Sequence, residues 1–171
     1  MGCAQVELGA GVGLVSIVAG LLGACGVATD REPSVLSVLE SNAAQMQLNH
    51  PLQTATLRWG ESSKPLERAV QRCAAAVGSS QSKGVDLILA ADIVFGNDPQ
   101  IWRQLVDTLD DLSSAGTAVI MAHTPRYPER EKVFWQILGE RFLVEQISHV
   151  NRESPNTEVY AMRRLKRDED L

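Results

Sequence analysis

Three glycines and one carboxylate have the spacing of a nucleoside-binding site. Gly9, Gly11 and Gly13 follow a short apolar segment, and Asp30 lies 21 residues after Gly9. Glycines at the end of a strand allow a tight turn and let a ligand approach the backbone at the start of a helix. A carboxylate at this distance along the chain can accept hydrogen bonds from both hydroxyls of a ribose. The pattern favours a nucleoside ligand, and a tight strand-to-helix turn without a ligand is the alternative.

The glycine loop differs from two common phosphate-binding motifs. A dinucleotide fingerprint would have its third glycine at position 14, where this chain has Leu14, and no Gly-Lys-Ser or Gly-Lys-Thr follows the loop. We therefore expect a nucleoside that lacks a diphosphate.

The elements that must position these residues are strands that alternate with helices. Strands are predicted at 3–8, 25–29, 54–59, 85–91 and 117–123, each followed by a helical segment, and then at 142–150 and 158–163 with only the turn-rich segment 151–156 between them. This order predicts an α/β fold with an open, mostly parallel sheet, helices on both faces and a C-terminal antiparallel hairpin. In such a sheet, ligands bind beyond the carboxyl ends of the strands.

Apolar residues at helical spacing predict which side chains face the core. For the second to the fifth helix, in chain order, the expected inward residues are Val35, Leu39, Ala43 and Met46, then Leu66, Ala69, Val70, Cys73, Ala74 and Val77, then Ile101, Trp102, Leu105, Leu109 and Leu112, then Val133, Phe134, Ile137 and Leu138.

Length and charge limit the class of protein. A chain of 171 residues that is 44% hydrophobic and 22% charged has the size of a single domain, which we place at 1–163 and which a charged tail at 164–171 follows. The formal net charge of −5 argues against a protein that binds nucleic-acid phosphates, so we expect no nucleic-acid partner.

Scattered cysteines and histidines lack the spacing of metal ligands or disulfides. We expect reduced core thiols, ordinary histidines and no metal site for this set: Cys3, Cys25, Cys73, His50, His123 and His149.

The apolar segment 10–27 is long enough to span a membrane, but it contains five glycines and no Lys or Arg precedes it. The start Met1-Gly2-Cys3 resembles an acylation site, although Val6 stands where myristoylation requires Ser or Thr. We therefore expect no membrane partner. We also expect a monomer in the cytoplasm, with the nucleus as the alternative location.

Four motifs carry a resemblance to a known family. They are Glu-Leu-Gly-Ala-Gly-Val-Gly-Leu-Val at 7–15, Thr-Asp-Arg-Glu at 29–32, Leu-Arg-Trp-Gly at 57–60 and Ala-Asp-Ile-Val-Phe at 91–95. In this order and spacing they resemble the seven-β-strand S-adenosylmethionine-dependent methyltransferases, and within them the protein-lysine methyltransferases often called methyltransferase family 16. The resemblance covers residues from about 4 to about 163. It implies a Rossmann-like, seven-stranded sheet, S-adenosylmethionine as the cofactor, and a protein side chain, lysine above all, as the methyl acceptor.

The resemblance also implies roles for individual residues. Gly9, Ala10 and Gly11 would border the methionine part of the cofactor, and Asp30 would hold its ribose. Trp59 and Ala91 would flank the adenine, and Glu7 would position the amino group through a water molecule. From the residues alone, Trp59 could instead be a core aromatic at a strand end, and Glu7 could cap a neighbouring helix.

Asp92 and Phe95 are the candidates for the acceptor side of the reaction. A lysine amine, with an ordinary pKa of about 10.4, must lose its proton before it attacks a methyl group. A carboxylate such as Asp92 can orient the incoming ammonium, and burial favours the neutral amine. Phe95 stands where the family pattern Asp-x-x-Tyr has tyrosine, so its ring can pack on an alkyl chain but the hydroxyl is missing.

Two features leave alternatives open. Only six residues precede Glu7, so we expect the N-terminal region that helps to enclose the cofactor in this family to be missing. A truncated cofactor-binding pseudoenzyme or structural subunit is therefore one alternative, and an NAD-type oxidoreductase, disfavoured by Leu14, is another.

Basic residues at 126, 130 and 132 form either a solvated helix start or a docking site for an acidic substrate.

Overall fold

Seven strands form one mixed sheet in residues 2–81, 84–149 and 156–166, the part of the chain that the computed structural model describes. The strands are β1 (Ala4–Leu8), β2 (Cys25–Asp30), β3 (Gln53–Thr56), β4 (Leu87–Ala91), β5 (Ala118–His123), β6 (Phe142–His149) and β7 (Glu158–Arg164). The helices are α1 (Leu14–Leu21), α2 (Pro33–Ala44), α3 (Lys64–Val77), α4 (Pro99–Leu112) and α5 (Pro128–Gly139).

The strand order in the sheet is β3-β2-β1-β4-β5-β7-β6. Strands β1 to β5 pair in parallel, and β7 is antiparallel to both β5 and β6. The chain first moves from β1 outward to β3 and then returns to β4, so the order reverses between β1 and β4. Ligands of open α/β sheets bind at such a reversal, beyond the carboxyl ends of the strands.

Helices cover both faces of the sheet. Val6 and Leu8 of β1 belong to the larger hydrophobic core, which contains apolar residues of α3, α4 and α5. Successive strand residues point to opposite faces, so Glu7 points the other way, where it contacts Ser16 of α1. A smaller core between β2 and α2 lies on that second face and includes Leu39. The predicted fold class is therefore confirmed, including the C-terminal antiparallel hairpin.

The third strand is shorter than the sequence predicts. It ends at Thr56, so Leu57 and Trp59 lie beyond the sheet rather than within it. The Leu57 N–H still donates to the Asp30 carbonyl, at 3.0 Å, and Leu57 is buried. The alternation of apolar side chains therefore continues for a few residues after the strand pairing ends, which is why the sequence pattern overextends the strand.

Three side chains predicted to face the core are exposed. Met46 lies after the end of α2 and is 46% exposed, and Leu36, rather than Val35, is the buried partner of Leu39. In α4 and α5, Ile101 and Val133 lie at the edge of the apolar stripe and are 40% and 37% exposed. The remaining predicted positions of α3, α4 and α5 are buried or half-buried.

Cys25 and Cys73 are buried free thiols as expected, whereas Cys3 is half-buried. None of the described helices combines the length and the apolarity that crossing a membrane requires. The predicted turn at 151–156 lies outside the described residues apart from Asn156, as do the side chain of His149 and the tail from residue 167.

Candidate active site

The glycine loop joins β1 to α1 through backbone conformations that suit glycine. Gly9 and Gly13 have φ angles of 63° and 94°. A Cβ at Gly9 would lie 2.8 Å from Ile93, and one at Gly13 would lie 2.5 Å from Leu39. The loop is tied to the neighbouring strand because the Ala10 N–H donates to the Thr29 carbonyl at 2.8 Å. The Trp59 ring lies 3.8 Å from the same Cβ position. Because Gly9 has no Cβ, the space between Ile93 and the Trp59 ring stays open.

Asp30 is the last residue of β2, and its carboxylate faces the glycine loop. One oxygen accepts a hydrogen bond from the Gly11 N–H and the other from the Glu32 N–H, both at 3.1 Å. These two bonds fix the carboxylate plane. Each carboxylate oxygen has a second lone-pair site that can accept a hydroxyl.

Glu7 lies beneath the loop, only 2% exposed. Its carboxylate accepts hydrogen bonds from the Ser16 N–H at 2.9 Å and from the Ser16 hydroxyl at 2.5 Å. Burial raises the pKa of Glu7 to about 7, the Ser16 hydrogen bonds oppose this rise, and the charge of Asp30 adds to it. Glu7 therefore links the first turn of α1 to the centre of the sheet.

A cavity of about 450 Å³ opens at the carboxyl ends of β1 to β4. Five of the nine predicted site residues line it: Gly9, Asp30, Trp59, Asp92 and Phe95. The other four, Glu7, Ala10, Gly11 and Ala91, lie outside its lining. The structure therefore brings the residues predicted for the ribose and those predicted for the methyl acceptor to one cavity.

Two aromatic rings form one wall of this cavity. The ring centroids of Trp59 and Phe95 lie 6.2 Å apart and the rings are tilted by 55°. Trp59 is held by the turn that follows it, because the Gly60 N–H donates to the Thr108 hydroxyl at 2.9 Å. Phe95 is half-exposed, so its face is open to the solvent side of the cavity.

Asp92 follows β4 in a left-handed conformation, with a φ angle of 54° that is uncommon for residues other than glycine. Its N–H donates to the Ala122 carbonyl of β5 at 2.9 Å, which continues the pairing of the two strands by one residue. Its carboxylate forms an ion pair with the Arg126 guanidinium. Backbone strain of this kind is frequent at functional sites.

The loop that carries Arg126 is anchored by Glu131, a buried residue of α5. One carboxylate oxygen of Glu131 accepts from the N–H groups of Arg126 and Tyr127, at 3.0 Å and 2.9 Å, and the other lies 3.1 Å from His123 Nε2. Burial alone would raise the pKa of Glu131, but the hydrogen bonds from Tyr127, His123 and Arg126 lower it below its ordinary value.

Several lining residues were not predicted. Ile93 and Gln104 are cavity residues, and Gln104 contacts the position where a Cβ of Gly60 would lie. Ile93 follows Asp92 directly, so the motif at 91–95 could have indicated it. Gln104 lies inside α4 and carries no signal of its own, because only the packing of α4 on the sheet brings it to the cavity.

The fold and the residues of the cavity identify the class of protein. A seven-stranded sheet of this order, with a glycine loop after β1 and a carboxylate at the end of β2, is the fold of the S-adenosylmethionine-dependent methyltransferases. The magnesium protoporphyrin IX methyltransferase of Synechocystis PCC 6803, solved with bound S-adenosylmethionine, superposes with a TM-score of 0.69 at 15% identity over 96% of this chain and 71% of that one. A family model described as "Lysine methyltransferase" matches residues 1–141.

The chain belongs to this lysine methyltransferase family. It is 34% identical over 173 residues to protein N-lysine methyltransferase METTL21A of Mus musculus, and the alignment covers 99% of this chain and 70% of that protein. It is 37% identical over 150 residues to METTL21A of Danio rerio, and this alignment covers 84% of this chain and 59% of that protein. The chain thus spans between 59% and 70% of the length of these relatives. The predicted family and cofactor class are confirmed, and the oxidoreductase alternative is wrong.

Proposed function

We propose that this chain transfers a methyl group from S-adenosylmethionine to a lysine side chain of a protein. The observation that carries the proposal is a single cavity that is lined both by Asp30 and Trp59, expected to hold the cofactor, and by Asp92 and Phe95, expected to orient the acceptor. A methyltransferase must hold a cofactor and orient an acceptor within one water-poor space, because most of the rate enhancement comes from alignment of the two partners. Family membership supports lysine as the acceptor.

The residues of the cofactor side fit the ribose and adenine of S-adenosylmethionine. When bound, this cofactor supplies a methyl group whose bond to sulfur breaks as the amine lone pair forms the new carbon–nitrogen bond, with the electrons of the broken bond remaining on sulfur. Asp30 would accept the ribose hydroxyls, and Trp59 would contact the adenine. Glu7, Ala10, Gly11 and Ala91 lie outside the cavity lining. We propose that Glu7 holds the start of α1 through Ser16, and that the Gly11 N–H holds the Asp30 carboxylate.

The residues of the acceptor side fit a long alkyl amine. The Phe95 ring is half-exposed beside Trp59 and offers an apolar surface for the methylene groups of lysine. Asp92 lies at the end of β4 in the same lining and offers a hydrogen-bond acceptor for the amine. The amine must arrive with a free lone pair, so its proton has to leave to water before the transfer.

We also propose that the partner is a protein and that the chain acts as a monomer in the cytoplasm without binding nucleic acid. The net charge of −5 supports the last of these points, because phosphate binding requires a basic surface.

The proposal is tested by incubating the purified chain with tritium-labelled S-adenosylmethionine and a cell lysate. We expect wild type to label at least one protein, with the label on lysine by mass spectrometry, and Asp92→Ala to label none. Asp107→Ala is the matched control, since Asp107 is an exposed residue of α4 that pairs with Arg141 and lies outside the cavity lining. A wild-type chain that binds S-adenosylhomocysteine but labels no protein would favour the cofactor-binding pseudoenzyme instead.

A further inference from the structure

We propose that Arg126 is a positioning residue of the acceptor side, which pairs with Asp92 so that the carboxylate orients a lysine amine without stabilising its protonated form. The inference rests on the proposed function and extends it to a residue that the four sequence motifs do not include.

The contact between Arg126 and Asp92 joins the segments that follow two neighbouring strands, β5 and β4. The Arg126 Nη2 atom donates to Asp92 Oδ2, and the two side chains are 51% and 49% exposed. Half of each side chain is therefore accessible to a substrate that approaches from solvent. The pair lies where β4 and β5 end, next to the Phe95 side of the cavity.

Both partners are held by backbone contacts that do not depend on the ion pair. The Asp92 N–H donates to the Ala122 carbonyl at 2.9 Å. The Arg126 N–H donates to Glu131, at 3.0 Å, and that carboxylate is buried against His123. An exposed ion pair contributes little to stability, because solvent screens it and two side chains lose conformational freedom. The buried anchoring of the loop therefore indicates a positional role for Arg126 rather than a stabilising one.

The chemistry of the acceptor explains why a paired carboxylate is useful. An unpaired carboxylate beside a lysine amine favours the charged ammonium, which has no lone pair for attack. When the carboxylate is paired with a guanidinium, most of this electrostatic stabilisation cancels. The carboxylate nevertheless keeps lone-pair sites that can accept an N–H, because an ionised carboxylate has about four of them. The amine is then oriented but is free to lose its proton to water.

The other ionisable groups of the cavity do not provide this cancellation. Asp30 and Arg31 follow β2, and Arg58 and Glu61 follow β3. Strand β2 is two strands from β4, which corresponds to about 10 Å at the usual strand spacing. Burial raises the pKa of Glu7 to about 7, but its carboxylate is bonded to Ser16 and lies outside the cavity lining, so it does not pair with Asp92.

The groups around Arg126 on the side of α5 also have to be considered. Tyr127 is exposed and its ring lies 5.3 Å from the Arg130 guanidinium, and Lys132 pairs with Glu129 at 2.6 Å. Tyr127 and Lys132 both carry an ionisable side chain, so they are the neighbours of Arg126 that could obscure its effect on a pH profile. Tyr127→Phe and Lys132→Gln are therefore the matched controls.

The direct test is the binding of n-butylamine, a mimic of the lysine side chain that is charged at pH 7.5, with n-butanol as the neutral comparison, by NMR titration. In wild type we expect the two ligands to bind alike. In Arg126→Gln, n-butylammonium should gain affinity about 3- to 10-fold, and Arg126→Lys should behave as wild type. The gain should disappear in the double variant Asp92→Asn, Arg126→Gln. Equal affinities of wild type and Arg126→Gln for n-butylammonium would overturn the proposal.

The second readout is the pH dependence of methylation of the lysate protein that wild type labels most strongly. The pH of half-maximal rate should rise by roughly 0.5 to 1 unit in Arg126→Gln and should be unchanged in Arg126→Lys, Tyr127→Phe and Lys132→Gln. At pH 7.5, kcat should fall while KM stays the same or decreases. An unchanged profile in Arg126→Gln would contradict the inference but not the proposed function. Absence of labelling by wild type would contradict the proposed function, while the n-butylamine titration would still decide the role of Arg126.

Discussion

Replacing Glu131 with glutamine tests how the loop after β5 is held. Glu131 is 4% exposed, and its carboxylate contacts the N–H groups of Arg126 and Tyr127 and the His123 ring. In Glu131→Gln the amide oxygen can still accept the two N–H groups, but it carries no full charge and its NH₂ group faces His123. Hydrogen bonds to charged acceptors contribute about 1 kcal/mol more than neutral ones, so three weakened contacts predict a loss of about 2 to 4 kcal/mol in the free energy of unfolding.

The exposed Glu129 provides the matched control, because it lies on the same helix two residues earlier and pairs only with Lys132 in the described contacts. Glu129→Gln should change the free energy of unfolding by less than about 0.5 kcal/mol. Urea unfolding followed by tryptophan fluorescence measures both variants, and the Trp135 ring, 5.8 Å from the His123 ring, reports on the affected region.

The pH dependence gives a second check on the same residue. The pKa of Glu131 is lower in the folded chain than its ordinary value of 4.5. Its stabilising contribution is therefore complete above that value and is lost as the pH falls through the folded pKa. The difference between wild type and Glu131→Gln should be largest at neutral pH and should shrink as the pH falls below 4.5. Equal stability of Glu131→Gln and Glu129→Gln at pH 7 would refute the reasoning.

Three further predictions concern the sheet and the cavity. Both side-chain polar atoms of buried Gln5 lack a partner in the described part of the chain, so Gln5→Leu should increase the free energy of unfolding by about 1 to 3 kcal/mol in urea titrations. The pKa of Glu7 is raised to about 7 from 4.5, so its proton stabilises the fold at low pH; wild type should lose about 2 kcal/mol between pH 5.5 and pH 8, and Glu7→Gln should lose much less. Gly9→Ala places a Cβ 2.8 Å from Ile93 at a φ angle of 63°, so calorimetry should detect at least about tenfold weaker S-adenosylhomocysteine binding.

The alternation of strands and helices could be predicted because each element carries its own period of apolar residues. The glycine loop and Asp30 could also be predicted, since they lie at the ends of consecutive strands that pair in parallel. The sequence pattern extends β3 too far because Leu57 remains buried after the strand pairing stops. Sequence patterns report burial, and here burial and sheet pairing end at different residues.

The contacts of Asp92 and Glu7 could not be predicted in the same way. Asp92 and Arg126 are 34 residues apart, and they meet only because β4 and β5 are neighbours in the sheet. Glu7 belongs to the motif that carries the cofactor prediction, yet its side chain turns toward Ser16 and away from the cavity lining. The periodicity of a strand shows which face a residue takes, but it does not show which side chain it meets there.

The central claim is that different residues of one cavity hold the cofactor and orient the acceptor, and calorimetric titration with S-adenosylhomocysteine tests it most directly. Asp30→Ala should lose about 1.5 to 3 kcal/mol of binding free energy, or about 10- to 150-fold in affinity, because hydrogen bonds to a charged acceptor are lost. Asp92→Ala removes a carboxylate that we assign to the acceptor, and this variant should bind S-adenosylhomocysteine within about twofold of wild type. Wild-type affinity in Asp30→Ala, or an equal loss in Asp92→Ala, would contradict this division of the cavity.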